Sequence, residues 1–186
     1  MKYFKKLVGD RIYLSPMNTD DAEKYTEWLN DFKVTDGLGS SIRIMNADAE
    51  RRWLQDTGSK DINFAIVSLD KDELIGNCGI MAVDHIHRTA TVGLFIGDEE
   101  NRSKGYGAET LRLMLDFGFN YLNLNNIMLQ VKSFNERAIA CYKKVGFKEC
   151  GRRRESYFLD GKYYDEIQMD ILAREFEGGY IRNRYI

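Results

Sequence analysis

The order of apolar patterns along these 186 residues predicts an α/β (α+β) fold. It is a mixed, mostly antiparallel twisted sheet of about seven strands with four helices. Three stretches carry this prediction. Thr91–Lys132 reads as strand, glycine loop, long helix and strand, a unit that closes as a right-handed parallel crossover. Asn63–Leu69, Glu73–Asp84 and Arg88–Gly97 read as a three-strand meander, its first turn being Asp70-Lys71-Asp72. Lys148–Phe158 and Lys162–Leu172 face each other across Asp160-Gly161-Lys162, a hairpin turn.

A chain of this length suits one domain, 1–186, with a core of about 11–172 and a tail over 173–186. With 44% hydrophobic and 30% charged residues it has the composition of a soluble globular protein. A net charge of −2 gives no electrostatic reason to expect nucleic acid or a membrane surface as partner. Cys78, Cys141 and Cys150 lack metal-ligand spacing, and with no signal-peptide pattern they point to reduced thiols in a cytoplasmic protein. No run approaches the roughly 20 apolar residues of a membrane span.

Arg11–Ser15 is the first strand, ended by the single proline, Pro16. Thr19-Asp20-Asp21 supplies caps for a helix through about Asn30, with Ala22, Tyr25, Trp28 and Leu29 as its apolar stripe. Asp36–Ser41 reads as a glycine-bearing loop. A second helix follows from about Asn46 to Asp56, with Trp53 and Leu54 buried. Gly93 and Gly97 in the third meander strand mark a bulge or a close backbone approach. His85 and His87 would share one strand face, with no third metal ligand at useful spacing; no metal site is expected.

Arg102-Ser103-Lys104-Gly105-Tyr106-Gly107-Ala108 lies between that strand and the helix marked by Ala108, Leu111, Leu115, Phe119 and Leu122. At a helix amino end the first N–H groups lack partners and the macrodipole is positive, so anions bind there. The stretch is neither a P-loop nor a complete dinucleotide fingerprint, because Thr110 holds the third glycine position. On its own, Gly-x-Gly before a helix is equally a tight turn.

After the strand Ile127–Lys132 comes Asn135-Glu136-Arg137-Ala138 … Tyr142-Lys143-Lys144-Val145-Gly146-Phe147. Asn135 suits an N-cap, Glu136 the first turn, Lys143 and Lys144 the last, and Gly146 the C′ position. With this second stretch in place, the sequence closely resembles the GNAT superfamily of acyl-CoA-dependent N-acetyltransferases. Arg102-x-x-Gly105-x-Gly107 matches that family's pyrophosphate loop. Asn135-x-x-Ala138-x-x-x-Tyr142-x-Lys144-x-Gly146-Phe147 matches its second coenzyme-side motif. The likeness runs from about Arg11 to Leu172, ending in a Gly-Lys-Tyr-x-Asp-Glu strand.

The resemblance implies acetyl-CoA as co-substrate, lying in a V where the third meander strand splays from the next. Leu94, Phe95 and Ile96 match the strand positions beside the thioester oxygen. Arg102, Ser103, Lys104, Gly105, Tyr106 and Gly107 match the pyrophosphate loop, with Ala108 allowing close approach. Asn135 matches a side chain that hydrogen-bonds the pantetheine arm, and Tyr142 the general acid that serves the departing sulfur. The two-helix region near the amino end would form part of the acceptor cleft. Many relatives carry a glutamate base where this chain has Thr91, so no base is assigned.

The implied reaction is direct attack by an amine in a ternary complex. No Ser/His/Asp or Cys/His constellation argues for a covalent intermediate, and Cys141 reads as a packed thiol. The attacking amine must be neutral. Deprotonation near pH 7.4 costs about 4 kcal/mol for a lysine-like amine of pKa ~10.4, and under about 1 kcal/mol for an α-amine near ~8. The branch most resembled contains ribosomal-protein-alanine and spermidine N-acetyltransferases, so the acceptor is a protein N-terminus or small amine, or alternatively a polyamine. For a polyamine, Asp20, Asp21, Glu23, Glu27 and Asp31 are the candidate partners. A non-catalytic acyl-CoA sensor of the same fold is the reading of another class. Exposed strand edges and the resemblance imply a homodimer.

Overall fold

The computed structural model describes residues 2–56 and 61–183. In chain order it forms β1 (Leu7–Val8), β2 (Ile12–Pro16), α1 (Ala22–Leu29), α2 (Phe32–Leu38), α3 (Ala47–Asp56), β3 (Ile62–Ser68) and β4 (Leu74–Asp84). There follow β5 (Thr89–Ile96), α4 (Tyr106–Asn120), β6 (Asn126–Lys132), α5 (Glu136–Val145), β7 (Lys148–Leu159) and β8 (Lys162–Leu172). Short 3-10 turns precede α1, precede the loop before α4, and follow β8.

All eight strands join one sheet in the order β1-β2-β3-β4-β5-β6-β8-β7. Every neighbouring pair is antiparallel except β5 and β6, the parallel pair that α4 connects. Alternation places the core. Ile127, Leu129 and Val131 of β6 are buried and face the same cluster as Leu111, Met114 and Leu115 of α4. Full burial of each such side chain contributes about 1.5–3 kcal/mol. On the other face, Tyr25 and Trp28 of α1 pack edge-on against Phe95 of β5, at ring distances of 6.4 and 5.9 Å.

Several expectations need correction. Among the described residues there are eight strands rather than about seven, because β1 pairs with β2 across a turn at Gly9–Arg11. The described residues form five α-helices rather than four. Asp36-Gly37-Leu38 is helical, not loop: Asp31 accepts a hydrogen bond from Lys33 N–H at 2.9 Å as N-cap, and Gly39 closes the helix at φ +72°. Val34 and Thr35 bury its inner side. Trp53 is 45% exposed, because α3 turns Glu50 and Leu54 inward, a pair four residues apart that leaves Trp53 off the buried line. His85 and His87 are not on a strand: β4 ends at Asp84, whose Oδ1 accepts from the N–H groups of Ile86 and His87 in an exposed turn.

The tail is tied down. Asp116, buried in α4, accepts through Oδ2 from the N–H groups of Gly179, Tyr180 and Ile181 at 3.1, 2.6 and 3.0 Å. The last three residues of the predicted tail, 184–186, lie outside the described residues. Among the described residues no helix is long and apolar enough to cross a membrane.

Candidate active site

Gly105 is the N-cap of the fifteen-residue α4, at φ +88°, and Ser103 precedes it at φ +59°. Only glycine enters that region freely, and a β-carbon at 105 would lie 2.9 Å from Arg11 Nη2. Arg11 reaches over this loop: Nη1 donates to Lys104 O at 2.7 Å, Nε pairs with Glu109 Oε2 at 3.0 Å, and the guanidinium lies 5.3 Å from the Tyr106 ring. Glu109 Oε1 also accepts from the N–H groups of Asp10 and Arg11, at 2.7 and 2.8 Å. The loop is therefore braced from β2. Its backbone donors stay free: the helix ladder begins with Glu109 N–H on Gly105 O, and the N–H groups of residues 103–108 have no acceptor among the described residues. Six successive donors at a helix amino end form an anion cradle.

The side chain of Arg102 takes another part. It donates from Nε to Ile96 O at 3.1 Å, from Nη2 to Gly97 O at 2.6 Å and from Nη1 to Lys33 O at 3.1 Å. Its guanidinium thus ties the end of β5 and the start of α2 to the loop. Burial, then repulsion from Arg137, pulls its pKa below the ordinary value.

Beside this loop the sheet opens. β5 and β6 pair only from Thr89↔Asn126 to Thr91↔Met128, and β6 continues to Lys132 with β8 as its neighbour. Gly97 N–H bonds to Ile75 O, in register with Phe95↔Asn77 and Gly93↔Gly79. Alternation in an antiparallel ladder then aims the N–H groups of Leu94 and Ile96 away from β4, into the gap. Phe95 offers that gap no N–H; its ring packs on α1. Gly97 is required where it stands, since a β-carbon there would fall 2.0 Å from the Trp28 ring. Trp28 Nε1 in turn donates to Asp98 Oδ1 at 2.9 Å, and Lys24 pairs with the same oxygen at 3.0 Å.

The far wall is α5. Asn135 caps it, accepting from Ala138 N–H at 3.2 Å, while its amide lies against Gly37 of α2. Cys141 and Tyr142 both line the opening. Burial raises the Cys141 thiol pKa, so the group stays protonated. Burial, and next the Cys141 side chain, pushes the Tyr142 phenol up to about 12. The Tyr142 hydroxyl has no hydrogen-bond partner among the described residues; its ring contacts Phe147 at 6.2 Å.

The gap, the loop and α5 enclose one cleft of about 790 Å³. Leu94, Phe95, Ile96, Arg102, Ser103, Gly105, Tyr106, Gly107, Ala108, Asn135 and Tyr142 all line it; Lys104 stands exposed beside it. Thr91 lines it too. Arg137 lines it as well, as do Lys132 and Glu166, whose ion pair stands at the wide end of the strand gap; no sequence motif singles out these three. The α1-region carboxylates do not line it. Asp21 is buried against Lys2 and the Tyr3 hydroxyl, Glu27 pairs with Lys24, Glu23 lies 3.8 Å from Arg51, and Asp31 caps α2. Arg152, Arg153 and Arg154 of β7 are exposed away from the cleft, with Arg152 paired to Glu149 and Asp165. Among the described residues no three His, Cys, Asp or Glu side chains stand together as a metal site.

Comparison with known proteins follows the same outline. The family model "Acetyltransferase (GNAT) domain" matches residues 11–148. Spermidine N(1)-acetyltransferase of Vibrio cholerae is 31% identical over 129 residues, 69% of this chain and 67% of the relative. N-acetyltransferase p20 of Bacillus licheniformis is 26% identical over 177 residues, covering 92% of this chain and 98% of the relative. The crystal structure of a spermidine N-acetyltransferase from Vibrio cholerae, in complex with CoA and spermine, superposes with a TM-score of 0.80. It is 25% identical and covers 88% of this chain and 96% of that one.

Proposed function

Since this chain belongs to the GNAT acetyltransferase family and moves an acetyl group from acetyl-CoA to an amine, we propose the following assignment of its residues to that reaction. The free N–H groups of residues 103–108 hold the coenzyme pyrophosphate. Arg137 adds charge beside them, and Arg102 holds the loop in shape. The pantetheine arm runs between β5 and β6, with Asn135 as a hydrogen-bond partner. The N–H groups of Leu94 and Ile96 stand where the thioester oxygen gains charge as the amine attacks. Tyr142 hydrogen-bonds the sulfur as it leaves. The observation that carries this reading is the cradle of six unpaired donors opening onto the same cleft as the strand gap and the Tyr142 hydroxyl.

The acceptor is a primary amine of low pKa, a peptide N-terminus above all. Its attack forms the N–acetyl bond and breaks the C–S bond; the amine's proton passes to solvent and the thiolate leaves. Thr91 cannot serve as a carboxylate base, so an acceptor that is partly neutral at working pH suits this site best. The whole chain acts as a single catalytic domain, and the open sheet edges at β1 and β7 are where a homodimer would form. Thiol release from acetyl-CoA, measured with N-terminal peptides beside polyamines, tests the reading. Turnover with peptides supports it; turnover with polyamines alone overturns the choice of acceptor, and none with any amine leaves the sensor reading.

A further inference from the structure

At the wide end of the gap, Lys132 of β6 stands opposite Glu166 of β8 in the sheet register, and the two side chains form an ion pair. Both are largely removed from water, at 16% and 15% exposure. The Lys132 ammonium also lies 4.9 Å from the centre of the Tyr157 ring. Around that ring stand Phe134, 6.0 Å away, and Tyr164, which meets Phe134 at 4.8 Å. From above, Gly39 packs onto the lysine stem and Tyr157, and the Tyr157 hydroxyl donates to Asp36 O at 3.5 Å. Arg153 is next to Glu166 in the β7 register, yet is exposed and makes no ion pair among the described residues.

Glu166 lines the cleft and the Tyr157 ring stands behind it against the same ammonium, and a carboxylate with an aromatic face, both screened from water, are the parts of a receptor for an alkylammonium. Glu166 and Asp36 are the two carboxylates among the described residues lining the cleft, against five cations: Lys33, Arg102, Lys132, Arg137 and Lys144. We propose that Lys132 occupies an ammonium subsite formed by Glu166 and Tyr157, and so closes the wide end of the gap to substrates that carry a second ammonium. The subsite deepens the acceptor assignment above and rests on it. With Lys132 in place, an acceptor with one amine meets no competition, whereas a polyamine meets a cation where its distal amine would bind. Acceptor choice is then set by an internal lysine.

The test is isothermal titration of spermidine, with n-propylamine as the one-amine control, onto the full chain with and without CoA. Removing the cation leaves Glu166 to the ligand, so Lys132→Met should bind spermidine at least about tenfold more tightly than the natural chain. The gain should vanish in Lys132→Met/Glu166→Gln and be absent for propylamine. Should methionine there prevent folding, Lys132→Gln keeps a hydrogen bond to Glu166 without the charge and should show the same direction. Equal spermidine affinity in the variant and the natural chain overturns the proposal, as does a gain that survives Glu166→Gln. The CoA arm separates the two ideas. Failure of CoA to bind counts against the acetyltransferase assignment, whereas unchanged spermidine binding with CoA bound counts against the subsite alone.

Discussion

Replacing Tyr142 by phenylalanine removes one hydroxyl and little else. The hydroxyl has no partner among the described residues, so no hydrogen bond of the resting protein is broken, and the Phe147 contact stays. Stability should shift by under about 0.5 kcal/mol, the range of substitutions that leave packing and hydrogen bonds intact. Catalysis is another matter. Burial holds the phenol near 12, and a leaving thiolate has a pKa of about 8.5. Complete proton transfer is therefore uphill by about 5 kcal/mol, at 1.36 kcal/mol for each pKa unit. A hydrogen bond to the developing thiolate demands no such transfer and contributes about 1.5–3 kcal/mol. Turnover in Tyr142→Phe should thus fall about 10- to 150-fold, while the acetyl-CoA concentration for half-saturation stays within about twofold. Steady-state thiol release at saturating acceptor measures both. No alkaline limb from Tyr142 should show below about pH 11, because its folded pKa lies near 12. A variant with natural turnover, or a limb near pH 9 that the variant abolishes, would refute the argument.

Three further changes probe the frame of the cleft. Gly105→Ala forces a β-carbon into the left-handed region and against Arg11, which should cost about 1–2 kcal/mol, or about 2–8 °C of melting temperature for a chain this size; it should also weaken acetyl-CoA binding, both read from melts with and without coenzyme. Asp98 is disfavoured as an anion by burial, but its bonds from Trp28 Nε1 and Lys24 prevail and leave its pKa below the ordinary 3.8. A depressed carboxylate adds stability above its unfolded pKa and loses it as pH falls through the folded one. Denaturant unfolding from pH 6 to 2 should therefore show Asp98→Asn less stable above about pH 4, with the difference closing at the acid end. Asp116→Asn exchanges a carboxylate acceptor for an amide beneath three tail N–H groups. Hydrogen exchange at residues 179–181 should quicken by at least about tenfold, from the roughly 1.5–3 kcal/mol that bonds to a charged acceptor contribute.

What the sequence shows of this architecture is the part written locally. Glycine at 105, an asparagine cap at 135 and the Asp160-Gly161 turn each answer a backbone need confined to a few residues, and each stands where its pattern places it. Helix α2 carries only its end marks, Asp31 before it and Gly39 after it, with no apolar repeat long enough to read between them. At seven residues it is too short to hold itself, and the burial of Val34 and Thr35 that sustains it comes from the rest of the fold. Trp53 fails for a related reason: the apolar pattern of α3 does not say that Glu50, a carboxylate whose pKa burial raises, shares the inner face with Leu54. At the cleft, the lining positions of the loop and α5 are legible because their spacing is fixed within one loop and one helix. The inward turn of Arg102, and the meeting of Lys132 with Glu166 across a strand register spanning 34 residues, depend on tertiary placement. No local pattern carries them.

The central claim is that the loop before α4 and the gap between β5 and β6 form one acyl-CoA site. Thermal melting with acetyl-CoA, and with ATP and NAD as controls, tests it most directly. Acetyl-CoA at about 100 times its Kd should add about 2.7 kcal/mol, raising the melting temperature by about 5–10 °C, with neither control matching it. A melting temperature unmoved by acetyl-CoA, or moved equally by all three, would contradict the claim.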